Sequence, residues 1–516
     1  MKQVRFYHYF IGSLIILLAY SSAFLPSYMV SDDWASLNDV YINSYSVAQY
    51  ALIQGRILNA AFVAGFFELF NSVEHAKYIR LIGILGTCLF VSLLCILLCR
   101  RGIPAKLAFP IAIGAAFLPP FVVVSIWAQA ASMSWACVLA IVAALSLDKW
   151  LAAKAGRTRW IVLATAATFL ALFSYPPAAQ LIFILPALYV LPISSASQRS
   201  RIMASFWGSI LVFLVAGILF VVVWKSYQTA YFPGVDLGNR VLINSPADII
   251  HKTIWFLTQV LPMAGSLFRL SPIDFLWVGV ISVCLAQFAV AKCSYRERLF
   301  KAFSWTALLF ASYAANLLVE ENYPAYRTQF ALQTLLWISL ASACVVFARV
   351  IIERFKWSAN RFEPAGSAIG VGLIFLLSIR QLFFIGPIVV APHVSEWEIV
   401  GRAIFSIPDD AKRVVVVRPE WGANRSRNTI HRYDTIGRPS SFAPWVPPPM
   451  LNVAYWTLLK RPFPFPVEHF TVSEYENRDV LPGDFTIDMN AALRENARRR
   501  DLPLPRRQRD NDKKTD

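Results

Sequence analysis

Apolar residues fall along this chain in long runs rather than in the alternating pattern of a soluble fold. Runs near 8–30, 79–99, 105–124, 130–147, 160–174, 178–195, 203–224, 274–291, 302–319, 329–348 and 366–391 approach or exceed the roughly 20 residues that cross a bilayer as a helix. They predict about eleven transmembrane helices, and so an α-helical polytopic membrane protein. Two connections, 31–78 and 225–273, are too long for ordinary turns and are expected to cap the bundle or line a site. The first mixes Tyr41, Ile42, Tyr45, Val47 and Leu52 with polar residues, the pattern of a partly helical amphipathic segment. The second is punctuated by Pro233, Gly234, Pro246 and Pro262. Beyond residue 392 the pattern changes. Val414–Val417, flanked by Arg413 and Arg418, reads as a short buried strand and predicts a small α/β region over 393–496. Pro444, Pro447, Pro448 and Pro449 mark irregular structure after it. Residues 497–516, with Arg498-Arg499-Arg500 and Arg506-Arg507, read as a disordered basic tail.

Composition agrees with the spans. Only 15% of residues are charged and 57% are apolar, with a mean hydropathy of +0.52, whereas a soluble domain carries about 25% charged residues. The net charge of +17 is mostly a topology signal. Arg100, Arg101, Lys106, Lys149, Lys154, Arg157, Arg159, Arg199, Arg201, Lys292, Arg296, Arg298, Lys301, Arg349, Arg354, Lys356 and Arg361 fall in alternate connections, on the side of Lys2 and Arg5. The positive-inside rule then predicts a cytoplasmic N-terminus and, with an odd number of spans, an external C-terminal region. A nucleic-acid partner is not implied. Ser21-Ser22-Ala23 resembles a signal-peptide cleavage site, but the apolar run continues to Val30, which favours a retained span. Either way, Asp32 and Asp33 lie outside. The seven cysteines all sit in or beside spans, so no disulfide staples the C-terminal region and no zinc spacing occurs. His75, His251, His393, His431 and His469 are scattered and read as surface or loop residues.

Chemistry concentrates after the first span, at Ser31-Asp32-Asp33-Trp34. Glycosyl transfer needs a base to take a proton from an acceptor hydroxyl, and a carboxylate near apolar surface can have its proton affinity raised towards that role. Spacing alone favours the plainer role, in which both aspartates cap the amphipathic helix that follows.

The acidic pair, followed downstream by Gln54-Gly55-Arg56, resembles the GT-C glycosyltransferases. In particular it is similar to bacterial membrane glucosyltransferases that decorate O-antigens, where an Asp-Asp-aromatic motif and a Gly-Arg pair mark the first outer loop. Ser174-Tyr175-Pro176-Pro177 stands where relatives often carry Tyr, Gln and Pro; Pro176 replaces the Gln. The resemblance implies a GT-C-like membrane domain over 1–392. It implies a polyprenyl-phosphate sugar as donor (undecaprenyl phosphate in a bacterial inner membrane), transfer on the periplasmic face with inversion, and an aspartate of the first outer loop as base. Asp33 is preferred over Asp32. The sugar suggested by the resemblance is glucose, and the acceptor a lipopolysaccharide O-antigen or other cell-surface glycan.

A departing lipid phosphate needs cations. Arg56, Arg80 and Arg327 are the leading candidates, with Lys225 and Arg240 behind them. Arg327 closes the dense run Glu320-Glu321-Asn322-Tyr323-Pro324-Ala325-Tyr326-Arg327, which reads equally well as an interfacial anchor. Trp34, Trp127, Gln129, Tyr175 and Tyr326 are candidate sugar contacts, since pyranose faces suit aromatic rings. Arg380, inside the last span, would bind lipid phosphate or snorkel. Magnesium or manganese is compatible with carboxylates beside phosphate but not demanded by them. Competing classes are a flippase of lipid-linked saccharides, an O-antigen polymerase or ligase, and a membrane scaffold. A flippase would place its polar residues nearer the bilayer midplane.

Overall fold

The computed structural model describes residues 6–153, 155–193, 199–235, 243, 245–268, 275–355, 362–420, 439–478 and 481–499. Arg240, His431, Lys154, Lys356 and Arg361 lie outside the described residues, as does all but the first part of the basic tail.

Each of the eleven apolar runs is helical over most of its length. Among the described residues, five helices are long and apolar enough to cross a membrane: Ala76–Arg100, Ala128–Ala152, Arg199–Tyr231, Phe330–Arg354 and Ala365–Ile404. A sixth span arises if Ala105–Ala116 and Pro119–Ile126, bent by 56°, are taken together. The chain is therefore a multi-pass α-helical membrane protein with a small α/β region. Shorter helices fill the other five runs, at Phe6–Ala19, Arg157–Ser174, Pro176–Val190, Leu276–Val290 and Tyr295–Ala311.

Prolines explain where the predicted edges move. Pro119 and Pro120 lack an N–H and push Leu118 into extended backbone (φ −68°, ψ 147°), which bends the predicted span 105–124. The first run, predicted to reach residue 30, stops being helical at Phe24, two residues before Pro26. Its last part continues as buried non-helical backbone through Tyr28, Met29 and Val30. The last run does the opposite. It absorbs Pro387 in a π-helical turn at Ile385–Val390 and continues into Ala391–Ile404, so the predicted boundary at 392 falls inside a helix.

The connection 31–78 folds as three helices, Asp33–Tyr41, Ser46–Ile53 and Ile57–Leu69. The expected strand is present as β1, Arg413–Val417. It lies between β2, Val467–Phe470, and β3, Asp484–Asp488, in a parallel sheet of order β2-β1-β3. Parallel pairing requires crossovers, and Pro447–Leu459 supplies the longer one.

One hydrophobic core joins the first connection to the C-terminal region. Trp34, Leu37, Val63 and Phe67 pack in the same cluster as Val414, Val416, Met450, Leu451 and Ile487. A buried polar knot reinforces the joint. Glu396 accepts the backbone N–H groups of Ser440 and Ser441 at 2.7 Å each and the Ser441 hydroxyl at 2.6 Å. His393 contributes Nδ1, 3.2 Å from Glu396 and 3.1 Å from the Ser440 hydroxyl. Far from being a surface residue, His393 is fully buried and stacks on Tyr28. Its place in the chain, beside Pro392 at a predicted span end, hid that role.

Candidate functional site

The aspartate pair sits where the first membrane segment meets the helix Asp33–Tyr41. Ser31 adopts φ +49°, a left-handed conformation costly for a residue with a side chain. Its backbone N–H is held by the Ser440 hydroxyl at 3.1 Å. This turn sends the two carboxylates in different directions.

Asp33 points inward. Its carboxylate accepts the backbone N–H groups of Gln129 (2.8 Å), Val30 (3.1 Å) and Ala128 (3.2 Å), and it is fully buried. Ala128–Ala130 is a short 3₁₀ turn, so Asp33 satisfies the N–H groups at the start of another element rather than capping its own helix. Burial pushes its pKa up to about 7, against the pull of the Gln129 amide and of Arg80.

Asp32 points outward. It occupies the N-cap position of Asp33–Tyr41 but makes no side-chain cap bond. Its Oδ1 instead accepts the indole Nε1–H of Trp445 at 2.8 Å.

Asp32 lines a cavity of about 550 Å³ bounded by the first connection, the helix starts near 127 and 175, and the loop around 316–328. Arg56, Trp127, Gln129, Tyr175, Glu321, Tyr323 and Arg327 share this wall, together with Tyr50, Gln54, Asn59, Asn316 and Trp445. The Arg327 guanidinium lies 5.0 Å from the Trp127 ring centre and 5.7 Å from that of Tyr323. Arg56 lies 5.2 Å from the Tyr175 ring. Each cation is thus placed over an aromatic face at the cavity wall.

Local sequence explains the placement of Arg56. Gly55 has φ +76°, and a Cβ there would come within 2.9 Å of Trp224. The same indole donates to the Ile53 carbonyl at 2.8 Å. The reversal at Gly55 lets Arg56 begin the helix Ile57–Leu69 at the cavity wall. The Gly-Arg pair therefore has a mechanical reading: the glycine makes the turn, and the turn aims the arginine.

A lysine supports the loop around 316–328. Lys252 donates from Nζ to the Glu321 carbonyl at 2.7 Å and to Asn322 Oδ1 at 2.8 Å. Burial lowers its pKa to about 8, against the neighbouring Glu321 and Glu320.

Of the residues expected from the sequence, Asp32, Arg56, Arg327, Trp127, Gln129 and Tyr175 meet at the cavity. Asp33, Arg80, Trp34 and Tyr326 do not. Arg80 is fully buried, donating to the carbonyls of Tyr28 and Pro26 at 2.8 Å each, and it holds the backbone leading into the aspartates. Trp34 is buried against Trp397, and Tyr326 belongs to the membrane core. Lys225 is engaged with Gln228 and Trp224, and Arg380 with Phe384, both away from the cavity wall. Trp445, Asn59, Tyr50 and Asn316 had no local signal. A tryptophan among prolines and residues within apolar helices look ordinary until the chain folds. Among the described residues no group of three His, Cys, Asp or Glu side chains comes together in a metal-binding arrangement.

No family model and no curated protein matches this chain. Among solved structures, it is similar to the crystal structure of ArnT from Cupriavidus metallidurans in the apo state, with a TM-score of 0.41 and 10% sequence identity, over 88% of this chain and 84% of that one.

Proposed function

We propose that this protein is a GT-C-type membrane glycosyltransferase that takes its sugar from a polyprenyl-phosphate donor. The observation that carries the reading is the cavity in which Asp32 shares a wall with Arg56 and Arg327. Inverting transfer needs a carboxylate on one side of the anomeric carbon and cations on the other, within a space that holds a monosaccharide and a phosphate.

In the proposed reaction, Asp32 accepts the proton of an acceptor hydroxyl as that oxygen bonds to the anomeric carbon. The bond from that carbon to the phosphate oxygen breaks, and the electron pair leaves with the polyprenyl phosphate. Arg327 and Arg56 stabilise the charge growing there. Trp127 and Tyr175 supply apolar ring surface for the sugar. A raised proton affinity would suit Asp33 to the base role, but access comes first. Its carboxylate is buried beneath the wall and already accepts three amides, so the proposed base is Asp32 and Asp33 holds the floor in place. The reading requires no metal.

The finer assignment follows the sequence resemblance. The donor would be undecaprenyl phosphate carrying one hexose, glucose being the first to test. The acceptor would be a lipopolysaccharide O-antigen or another cell-surface glycan. The cavity end of the bundle is proposed to face the periplasm across a bacterial inner membrane, with the N-terminus cytoplasmic. We take 1–392 as the membrane domain and 393–496 as an outer region that completes the same catalytic unit, since they share a core.

The test is transfer of labelled sugar from polyprenyl-phosphate donors in membranes, comparing wild type with Asp32→Asn at matched expression. Loss in the variant supports the reading. No transfer by wild type from any of several donors would overturn it in favour of a lipid-linked-saccharide flippase.

A further inference from the structure

Among the described residues, the C-terminal region reaches the cavity through one side chain. Trp445 lies in the segment Ser440–Val446, between the sheet and the helix Pro447–Leu459. This segment is tied to the aspartate motif at several points. The Ser440 hydroxyl holds the N–H of Ser31 at 3.1 Å and donates to the Met29 carbonyl at 3.4 Å, while Glu396 clamps the backbone of Ser440 and Ser441. Beyond these ties the indole donates to Asp32 at 2.8 Å. Trp445 is nevertheless 57% exposed, and it lines the cavity.

That combination is unusual for a large aromatic side chain. An indole tied into a core buries its faces, and an unused surface indole does not spend its N–H on a carboxylate. Here the N–H edge is fixed while more than half of the residue stays exposed beside the cavity. A fixed, wet aromatic face beside a carboxylate suits a pyranose, whose C–H face packs on the ring while a hydroxyl reaches the acid. Apolar guests would gain from the ring but offer no donor to the remaining lone pairs of Asp32.

We propose that Trp445 forms the acceptor subsite: it is a positioning residue for Asp32 and the platform for a saccharide acceptor entering from the aqueous side. This rests on the transferase reading above. In the same cavity Arg56 packs on Tyr175, and Arg327 on Trp127 and Tyr323. The proposal divides the cavity's work, with donor phosphate at the arginines and acceptor sugar at the Asp32–Trp445 pair. Specificity for the acceptor then resides in the C-terminal region, whereas the donor site belongs to the membrane domain.

Two substitutions separate the roles. Trp445→Phe keeps a ring face and removes the N–H; Trp445→Ala removes both. For Trp445→Phe, kcat is expected to fall about tenfold, the worth of one hydrogen bond to a charged group, with acceptor KM near wild type. For Trp445→Ala, acceptor KM should rise about fivefold or more in addition, the worth of one stacking face. Donor KM should stay unchanged in both. Unchanged kcat and acceptor KM in Trp445→Ala, or a rise in donor KM instead, would overturn the proposal. A binding measurement separates this from the reaction chemistry: saturation-transfer NMR with methyl hexosides on the full-length protein in nanodiscs. Signal in wild type that is lost in Trp445→Ala and kept in Trp445→Phe supports the saccharide platform even if no donor is turned over, in which case the transferase reading fails alone. Equal signal in wild type and Trp445→Ala, or none in wild type, rejects the platform whatever the transfer assay shows.

Discussion

The carboxylate of Asp33 accepts the backbone N–H of Gln129 at 2.8 Å across 96 positions of sequence. With the amides of Val30 and Ala128, it fastens the first connection to the turn that carries Trp127 and Gln129 into the cavity. Its neighbour Asp32 differs by one position and makes none of these bonds. The pair thus divides into one residue that builds the wall and one that faces the space inside.

Asp33→Ala is therefore expected to damage folding as well as activity. Leaving three amides unpaired in a buried site costs about 1–3 kcal/mol for each group that water cannot reach. A thermal shift in detergent checks this. A variant that melts like wild type would remove the structural role.

Asp33 also makes stability depend on pH. Its folded pKa of about 7 lies above the ordinary 3.8, so the folded state holds the proton more tightly than the unfolded chain. That contribution is fully present below about pH 3.8 and is lost as pH rises through about 7. Wild type should lose stability between these limits by an amount on the order of 1–4 kcal/mol. Asp33→Asn, which does not titrate, should flatten this part of the curve. Parallel melting-temperature profiles for the two proteins from pH 4 to 8 would remove Asp33 as the source.

Asp32→Asn should leave the melting temperature close to wild type, because the side chain is partly exposed and its Trp445 bond can survive with an amide oxygen. Transfer, by contrast, should fall by about 10²–10⁴, the usual worth of a positioned base. Retained transfer in a well-folded protein would end the proposed role.

Arg327→Ala should impair donor use, by about 10²-fold in kcat/KM if the guanidinium meets the leaving phosphate. Arg327→Lys should recover only part, since an ammonium ion lacks the planar fork and its stacking between Trp127 and Tyr323. An unchanged donor KM and kcat in the alanine variant would take Arg327 out of the site.

Gly55→Ala tests the turn that aims Arg56. The backbone sits at φ +76° and the new methyl would meet Trp224 at 2.9 Å, so a loss of about 1–3 kcal/mol is expected, with reduced transfer. Wild-type stability in this variant would mean that Trp224 yields freely.

Much of this protein is legible in the chain before it folds. Hydrocarbon demands about 20 apolar residues per crossing, and no soluble pattern imitates that, so the helical runs and the membrane class follow from composition along the sequence. The strand at Val414–Val417 follows too, because four β-branched residues in succession between arginines need a buried sheet. The acidic pair and the Gly-Arg pair mark the site because acids are scarce here and a glycine before an arginine punctuates a turn. What sequence could not decide was direction. Adjacent aspartates look alike until Ser31 turns the backbone and the amides near 128 claim one of them. Arg80 and Arg56 look equally suited to a phosphate, yet one is consumed by carbonyls and the other is delivered to the cavity. Nor does local pattern reveal Trp445, which meets Asp32 across 413 positions. Periodicity reports on each residue's solvent, which is a local matter; which groups share a cavity depends on contacts between distant segments, and only the packed core that joins Trp34 to Val414 and Met450 brings those segments together.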